Sequence, residues 1–192
     1  KLMTLPPWRI DRIVQGLAKG EVIAYPTEGV WGLGCLPDLE ASVSRILAIK
    51  QRSWTEGLIL VASKISHLER YLDGLSGKER RLLERTWPSP VTFLVPDNGH
   101  TPSWIKGDHD KVALRVSQHP VVADICKALG APIVSTSANP TGCSPALTAL
   151  QVRQYFGSKI DLLVPGNLSG LKGPSEIRDL ETGEIIRSRP VR

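Results

Sequence analysis

The chain has 192 residues, of which 41% are hydrophobic and 22% charged, a composition typical of a globular protein rather than a disordered or fibrous one. Its formal net charge of +5 favours anionic partners, although charge alone indicates nucleic acid only weakly. No stretch approaches the ~20 apolar residues of a membrane-spanning helix, and residues 1–12 lack the apolar run of a secretory signal. The three cysteines are an odd number at wide spacings, which predicts neither a disulfide framework nor a zinc site. We therefore expect a cytoplasmic protein with no membrane partner.

Helical and strand patterns alternate along the chain. In chain order they predict a helix over residues 8–19, a strand at EVIAYP, a helix over about 38–52, a strand at GLILVA, helices at ISHLERYLD and SGKERRLLERTW, strands at VTFLVP and KVALRVS, a helix at HPVVADICKALG, a strand at PIVSTS, a helix over about 147–156, the apolar run IDLLVPG, and a closing hairpin of SEIRDL with EIIRSRP. PTEGVWGLG, after the first strand, is interpreted as a glycine-rich loop. No repeat or linker interrupts the pattern, so residues 1–192 are predicted to form one domain. The alternation predicts an α/β fold, and the hairpin and direct strand-to-strand passages favour a mixed α+β arrangement of the sheet.

Two basic residues, Lys50 and Arg52, stand two positions apart near the end of the second predicted helix. Arginine offers phosphate oxygens a planar fork and lysine a mobile point charge, so a frayed helix end could aim both at one polyphosphate. The alternative is that both face solvent and interact with the helix dipole. The residues alone leave the two interpretations open, and under either one we expect both side chains to be accessible.

Ser137 and Asn139 follow the apolar strand PIVSTS, at the point where the chain leaves the sheet. Ligands of α/β proteins usually bind at this edge, where small polar side chains and free backbone N–H groups are available. The alternative is a turn in which both side chains hydrogen-bond their own backbone before Pro140. Neither interpretation is decided by these residues alone.

Common catalytic and nucleotide-binding motifs are missing from the sequence. PTEGVWGLG fits neither the GxxxxGK pattern of a phosphate loop nor the GxGxxG dinucleotide fingerprint. The four histidines lack metal-ligand spacing, and there is no GxSxG segment. If the protein is an enzyme, it is expected to work by positioning substrates and metal rather than through a covalent nucleophile.

Six segments resemble, in order, the blocks of the YrdC family of L-threonylcarbamoyladenylate synthases: YPTEGVWGLG, IKQR, WPSPVTFLV, VALRV, STSAN and PSEIRDLETGEIIR. The resemblance runs from about Val22 to Arg187, and it is strongest to the short bacterial form, because the chain ends soon after the last block. It implies a twisted mixed sheet flanked by helices, with a large basic cavity where ATP and threonine bind side by side.

The resemblance also implies residue roles. Lys50 and Arg52 are expected to be catalytic, and with them the residues expected to bind ATP are Lys50, Arg52, Ser137, Asn139, Ser144 and Arg187. Those expected to bind threonine are Thr27, Arg115, Ser135 and Ser175. Arg115 suits the threonine carboxylate, since a charge in the otherwise apolar strand VALRV needs a partner. No protein metal ligand is expected, and Mg²⁺ is expected to arrive with ATP as substrate.

Three residues depart from the family pattern. Ser53 stands where a proline usually follows the Lys-x-Arg pair, Glu176 replaces a commoner threonine, and Trp31 replaces Tyr or Phe. Because serine does not restrict φ, Ser53 could loosen the loop that carries Arg52.

The activity implied is synthesis of L-threonylcarbamoyl-AMP and pyrophosphate from L-threonine, bicarbonate or CO2, and ATP. The product would pass to a separate threonylcarbamoyl transferase complex that modifies tRNA, and direct contact with tRNA is left open. One alternative is a non-catalytic binder of structured RNA, although only 5% of the residues are aromatic and RNA-binding motifs are missing. Another is a carbamoyl-phosphate hydrolase or transferase module, which shares the same anion chemistry.

Overall fold

The computed structural model describes residues 4–188, which are built around a nine-stranded sheet. Its strands are β1 (Ile23–Pro26), β2 (Trp31–Gly34), β3 (Ile59–Ala62), β4 (Val91–Pro96), β5 (Lys111–Val116), β6 (Ile133–Ser137), β7 (Leu162–Leu163), β8 (Glu176–Asp179) and β9 (Ile185–Arg187). Their order across the sheet is β7-β1-β2-β6-β3-β5-β4-β8-β9. The β1–β7, β3–β5 and β4–β8 pairs are parallel and the other five are antiparallel. The mixed sheet predicted from the sequence is confirmed, whereas the prediction of one domain over 1–192 extends past the described residues and stays a prediction.

The helices are α1 (Pro7–Ala18), α2 (Glu40–Lys50), α3 (Glu69–Leu72), α4 (Gly77–Thr86), α5 (Ser103–Lys106), α6 (Pro120–Leu129) and α7 (Ala149–Phe156). Short 3-10 turns occupy Trp54–Glu56, Ile65–Leu68 and Gly157–Lys159. Ser76 and Glu79 form the capping box that starts α4, and Gly130 ends α6 in the left-handed conformation. Within residues 4–188, no helix has the length and apolar character needed to cross a membrane.

The segment PTEGVWGLG differs from its sequence interpretation, because its second half is a strand rather than a loop. Residues 31–34 pair with β1 on one side and with β6 on the other. A Cβ at Gly34 would lie 2.7 Å from the carbonyl oxygen of Val134, and one at Gly32 would lie 3.3 Å from the Tyr25 ring. The two glycines therefore serve close packing within the sheet, which sequence periodicity does not distinguish from a flexible loop.

Two apolar clusters cover the two faces of the sheet, because neighbouring strand residues point to opposite sides. On one face, Ile23 and Tyr25 of β1 pack with buried residues of α1 and α6, such as Leu17 and Ile125. On the other, Ala24 belongs to the cluster that α2, α4 and α7 cover. Full burial of each large aliphatic side chain contributes roughly 1.5–3 kcal/mol, so these two layers stabilise the sheet.

Candidate active site

A cavity of about 770 Å³ lies against one face of the sheet, over neighbouring positions of β3, β5 and β4 (Ile59, Ala113 and Leu94). It is bounded by the loop after β1, the end of β6 and the segment before β8. Seven of the ten residues expected to bind ATP or threonine line it: Thr27, Arg52, Arg115, Ser135, Ser137, Ser175 and Arg187. The remaining three, Lys50, Asn139 and Ser144, are not part of its lining. Tertiary structure thus brings together these residues from five of the six segments that resemble the family.

The loop after β1 is held against the segment before β8 by backbone contact. The N–H of Leu171 donates to the carbonyl oxygen of Glu28 over 3.1 Å. A Cβ on Gly29 would lie 2.0 Å from the carbonyl oxygen of Gly173, so glycine is required at this crossing. Thr27 closes the turn, its hydroxyl donating to the carbonyl oxygen of Val30 over 2.6 Å.

Lys50 is buried beneath the cavity rather than exposed in it, with 3% of its surface accessible. Its Nζ donates to the carbonyl oxygens of Ser137 over 2.5 Å and Asn139 over 2.8 Å, and its own carbonyl accepts from the N–H of Thr141 over 2.7 Å. Burial, together with the charge of Arg52, lowers the pKa of Lys50 to about 8, while Glu56 acts in the opposite direction. The expectation that Lys50 is accessible is therefore wrong. Its ammonium group is buried because it binds the backbone at the end of β6 and just after it. Its contact with phosphate stays a prediction.

Asn139 and Ser144 lie on the loop after β6. The Asn139 side-chain amide donates to the carbonyl oxygens of Pro140 over 3.1 Å and Cys143 over 2.7 Å, which is the turn interpretation of this motif. Ser144 is exposed, and its carbonyl oxygen accepts from the Tyr155 hydroxyl over 3.0 Å. Their roles toward ATP stay predictions.

Arg52 projects into the cavity just beyond α2 and is paired there with Glu56. Its Nη1 lies 3.0 Å from Glu56 Oε2, and its Nη2 donates to the carbonyl oxygen of Gly57 over 3.1 Å. Ser53 adopts a φ of −64°, the value a proline would impose, and its hydroxyl accepts from the N–H of Thr55. In this conformation the loop carrying Arg52 keeps the path that the usual proline would give it.

Arg115 lies on β5 with only 8% of its surface accessible, and it forms a buried ion pair with Glu28. Glu28 also accepts from the Ser117 hydroxyl over 2.7 Å, and Arg115 Nε donates to the carbonyl oxygen of Ser89 over 3.4 Å. Burial raises the pKa of the Glu28 carboxyl, but the charge of Arg115 and the hydrogen bond from Ser117 outweigh it and lower that pKa. Glu28 thus supplies a partner for this buried charge within the chain, which the sequence did not predict. Binding of threonine by Arg115 stays a prediction.

Arg187 reaches from β9 to the backbone of Ser175, with Nε and Nη2 donating to its carbonyl oxygen over 3.1 and 2.8 Å. The Ser175 hydroxyl is hydrogen-bonded to that of Thr92 over 2.8 Å. Burial and the charges of Arg52 and Arg115 lower the pKa of Arg187. Arg52, Arg115 and Arg187 all line the cavity, where their like charges repel one another and attract anions.

Known proteins resemble this chain in both sequence and fold. The model of the Sua5/YciO/YrdC family, described as telomere recombination, matches residues 15–189. The chain belongs to the Sua5/YciO/YrdC family. A threonylcarbamoyl-AMP synthase of Hahella chejuensis is 50% identical over 180 residues, covering 94% of this chain and 98% of its own. One of Nitrosococcus oceani is 48% identical over 185 residues, covering 96% and 100%.

Solved structures of the Sua5/YciO/YrdC family share the fold. Sua5 of P. abyssi complexed with L-threonine superposes with a TM-score of 0.86 at 28% identity, covering 92% of this chain and 52% of that one. The chain therefore spans about half the length of that Sua5 protein. YciO of E. coli superposes with a TM-score of 0.85 at 25% identity, covering 97% and 92%. The predicted family and fold are confirmed.

The charge of the cavity is more balanced than the resemblance to the family implies. Five lysine or arginine side chains and four aspartate or glutamate side chains line it, so its basic excess is one charge. Sequence reasoning missed the two glutamates that neutralise Arg52 and Arg115. Glu56 could have been found from its i,i+4 spacing to Arg52. No local pattern connects Glu28 to Arg115, because only the fold brings β5 next to the loop after β1.

None of the three cysteines lines the cavity. Cys35 and Cys126 are buried, which raises the pKa of each to about 12, whereas Cys143 is exposed. In the part of the chain that the structure describes, no group of three or more His, Cys, Asp or Glu side chains converges as a metal site. Mg²⁺ commonly binds through substrate phosphates and keeps most of its water, so the residues present are compatible with Mg²⁺ carried by ATP.

Proposed function

We propose that this member of the Sua5/YciO/YrdC family synthesises L-threonylcarbamoyl-AMP and pyrophosphate from L-threonine, bicarbonate or CO2, and ATP. The observation that carries the proposal is that relatives named threonylcarbamoyl-AMP synthase match 94% and 96% of the chain at 50% and 48% identity. This is the activity that the sequence predicts. The alternative of a non-catalytic RNA binder gains no support from the names of these relatives.

Threonine is proposed to bind against Thr27, Arg115, Ser135 and Ser175, all of which line the cavity. The threonine complex of P. abyssi Sua5, which shares the fold, supports a threonine site in the cavity. Arg115 is held by Glu28 and by the carbonyl oxygen of Ser89, which leaves part of its fork for the threonine carboxylate.

The phosphates of ATP are placed against Arg52, Arg187 and Ser137, where the repelling cations gain most from an anion. Lys50 supports this site from below through the carbonyl oxygens of Ser137 and Asn139. Mg²⁺ would arrive bound to ATP and would offset the charge of its phosphates. The residues of the chain then contribute position and charge, not a covalent bond.

The chemistry proceeds in two steps. The neutral threonine amine captures CO2 with release of a proton to solvent, or bicarbonate with loss of water, to give a carbamate. A carbamate oxygen then bonds to the α-phosphorus of ATP while the bond from that phosphorus to the bridging oxygen breaks, and the electron pair leaves with pyrophosphate. Arg52 and Arg187 stabilise the charge that develops on the leaving group.

The wider setting also belongs to the proposal. The product would pass to a separate threonylcarbamoyl transferase complex that modifies an adenosine next to the tRNA anticodon, in the cytoplasm. Direct contact of this chain with tRNA would use its net charge of +5.

The test is pyrophosphate release by purified protein supplied with ATP, Mg²⁺, bicarbonate and threonine. Release should depend on threonine, and serine should substitute incompletely, because one missing methyl group is worth only ~1–3 kcal/mol. Release that ignores threonine would contradict the proposal. Consumption of carbamoyl phosphate without ATP would instead favour the hydrolase or transferase alternative.

A further inference from the structure

The guanidinium group of Arg52 lines the cavity and forms an ion pair with Glu56. Glu56 lines the same cavity, and its Oε2 lies 3.0 Å from Arg52 Nη1. The accessible fractions of the two side chains are 29% for Arg52 and 49% for Glu56. An anion that uses the outer edge of Arg52 must therefore exchange places with a carboxylate that already faces solvent.

The backbone under Glu56 is fixed, so exchange needs movement of the side chain alone. Glu56 ends the 3-10 turn that begins at Trp54, and Gly57 follows with a φ of 70°. A Cβ on Gly57 would lie 2.9 Å from the carbonyl oxygen of Lys106, and one on Gly107 would lie 2.4 Å from that of Thr55. The two loops thus interlock at their glycines, while the Glu56 carboxylate stays at the surface.

The strength of the pair suits exchange. Half-exposed ion pairs spaced i,i+4 interact only weakly, because solvent screens both charges. A carboxylate tethered four residues away nevertheless has a high effective concentration at Arg52, on the order of millimolar or more. It competes poorly with a triphosphate that several cations bind and better with a smaller anion that has fewer contacts.

We propose that Glu56 is a displaceable counter-ion of Arg52: it neutralises the empty site, yields to the phosphates of ATP, and competes with pyrophosphate after the reaction, so that it promotes product release. The inference rests on the proposed function. Glu56 forms and breaks no covalent bond, and its effect reaches the reaction only through the occupancy of Arg52.

The chain offers a matched control. Glu69 forms an exposed pair with Arg80, with Oε2 2.9 Å from Nη1, and 51% of its side chain is accessible. Neither Glu69 nor Arg80 lines the cavity. Glu69→Gln therefore removes the same charge from a similar pair without touching the site.

The experiment is calorimetric titration of wild type, Glu56→Gln and Glu69→Gln with pyrophosphate, with a non-hydrolysable ATP analogue, and with threonine. Glu56→Gln should bind pyrophosphate about two- to ten-fold more tightly, since a weak competing pair and a repelling charge are both removed. In the turnover assay, added pyrophosphate should inhibit Glu56→Gln more strongly by the same factor. Threonine affinity should match that of wild type, and Glu69→Gln should match wild type for every ligand.

Unchanged or weaker binding of pyrophosphate by Glu56→Gln would overturn the inference, because Glu56 would then be a neutral surface pair or an aid to Arg52. An equal gain in Glu69→Gln would also overturn it, since net charge rather than position would be responsible. If wild type bound neither pyrophosphate nor the ATP analogue, the proposed function itself would fail. Failure confined to Glu56→Gln would leave the proposed function intact.

Discussion

Arg115 and Arg52 line the same cavity, and each carries a glutamate, but the two pairs lie in different surroundings. In the Arg115–Glu28 pair, 9% of the Arg115 side chain and 8% of the Glu28 side chain are accessible. Glu28 is also hydrogen-bonded to Ser117, and Arg115 to Ser89. In the Arg52–Glu56 pair, 29% of the Arg52 side chain and 49% of the Glu56 side chain are accessible. Glu56 ends a short 3-10 turn, and Arg52 lies just before it. One arginine is built into the sheet, and the other is held at the surface of a loop.

Burial decides what each glutamate does for its arginine. When one member of a buried ion pair is removed, the other charge stays buried without solvent or a partner, so Glu28 is expected to stabilise the folded protein. A half-exposed charge is solvated with or without its partner, so Glu56 is free to exchange. The Arg115–Glu28 pair is therefore expected to be rigid and the Arg52–Glu56 pair exchangeable.

The largest expected effect is on stability and separates the two pairs. Glu28→Gln should lower the free energy of unfolding by about 3 kcal/mol, because Arg115 stays buried without a counter-charge. Glu56→Gln should lower it by less than about 0.5 kcal/mol. Urea unfolding monitored by tryptophan fluorescence measures both, and similar losses in the two variants would remove the distinction between the pairs.

Acidification should affect the stability of wild type and of Glu28→Gln differently. Because the pKa of Glu28 is lower in the folded protein than in the unfolded chain, its contribution is fully present above the unfolded pKa, near 4.5. It is lost as the pH falls below that value and through the folded pKa. Glu28→Gln should consequently show a shallower loss of stability on acidification than wild type.

Turnover should be most sensitive to loss of the two cations proposed to bind or support the phosphates, Lys50 and Arg52. Lys50→Ala and Arg52→Ala should each reduce the rate of pyrophosphate release by at least ~10²-fold, the scale for removal of a preorganised electrostatic contact. Arg52→Ala should keep the stability of wild type, whereas Lys50→Ala should lose about 1–3 kcal/mol because two buried carbonyl oxygens lose their donor. Near-normal turnover of either variant would show that its cation is not needed there.

Lys50 also predicts a dependence on alkaline pH. Between about 8 and its ordinary value of 10.5, the unfolded chain binds a proton at Lys50 that the folded protein has released. The free energy of unfolding should therefore rise with pH in this window for wild type, and Lys50→Met should lack the rise. A rise of the same size in Lys50→Met would assign it to another group.

Arg115→Lys tests threonine binding, and its expected effect is smaller than that of the preceding variants. The variant keeps the charge opposite Glu28 but loses the planar fork, so the KM for threonine should rise about ten-fold while ATP-analogue binding changes little. Calorimetric titration with each ligand checks this, and Lys111→Arg, another cation of the cavity lining, is a control for the exchange of cation type. Equal weakening of both ligands would mean that Arg115 supports the cavity as a whole.

The smallest effect is expected at Ser53, next to the exchangeable pair. Because Ser53 already has a φ of −64°, Ser53→Pro should change the free energy of unfolding by no more than about 1 kcal/mol, with restriction of the unfolded chain offsetting the lost hydroxyl contact to Thr55. Thermal unfolding measures it. A larger loss would show that the turn depends on the serine hydroxyl.

Local patterns predicted much of the fold and part of the site. The helix over residues 8–19, the five predicted strands and the closing hairpin are all present, because periodicity and turn residues reflect burial directly. The strand at residues 31–34 was missed, since its two glycines resemble a loop until Tyr25 and Val134 are seen packed against them. Order and spacing of the blocks identified the family, and seven of the ten expected ligand residues meet in the cavity.

The sequence by itself determined the family, the mixed α/β fold and the residue types around an anion, because motif order and hydrophobic periodicity are properties of the chain. Only tertiary structure decided which charges are free. It buried Lys50 under the carbonyl oxygens of Ser137 and Asn139 and placed Glu28 against Arg115. The reason is physical: the state of a charged group depends on the solvent and partners around it, and these come from segments that are distant in sequence.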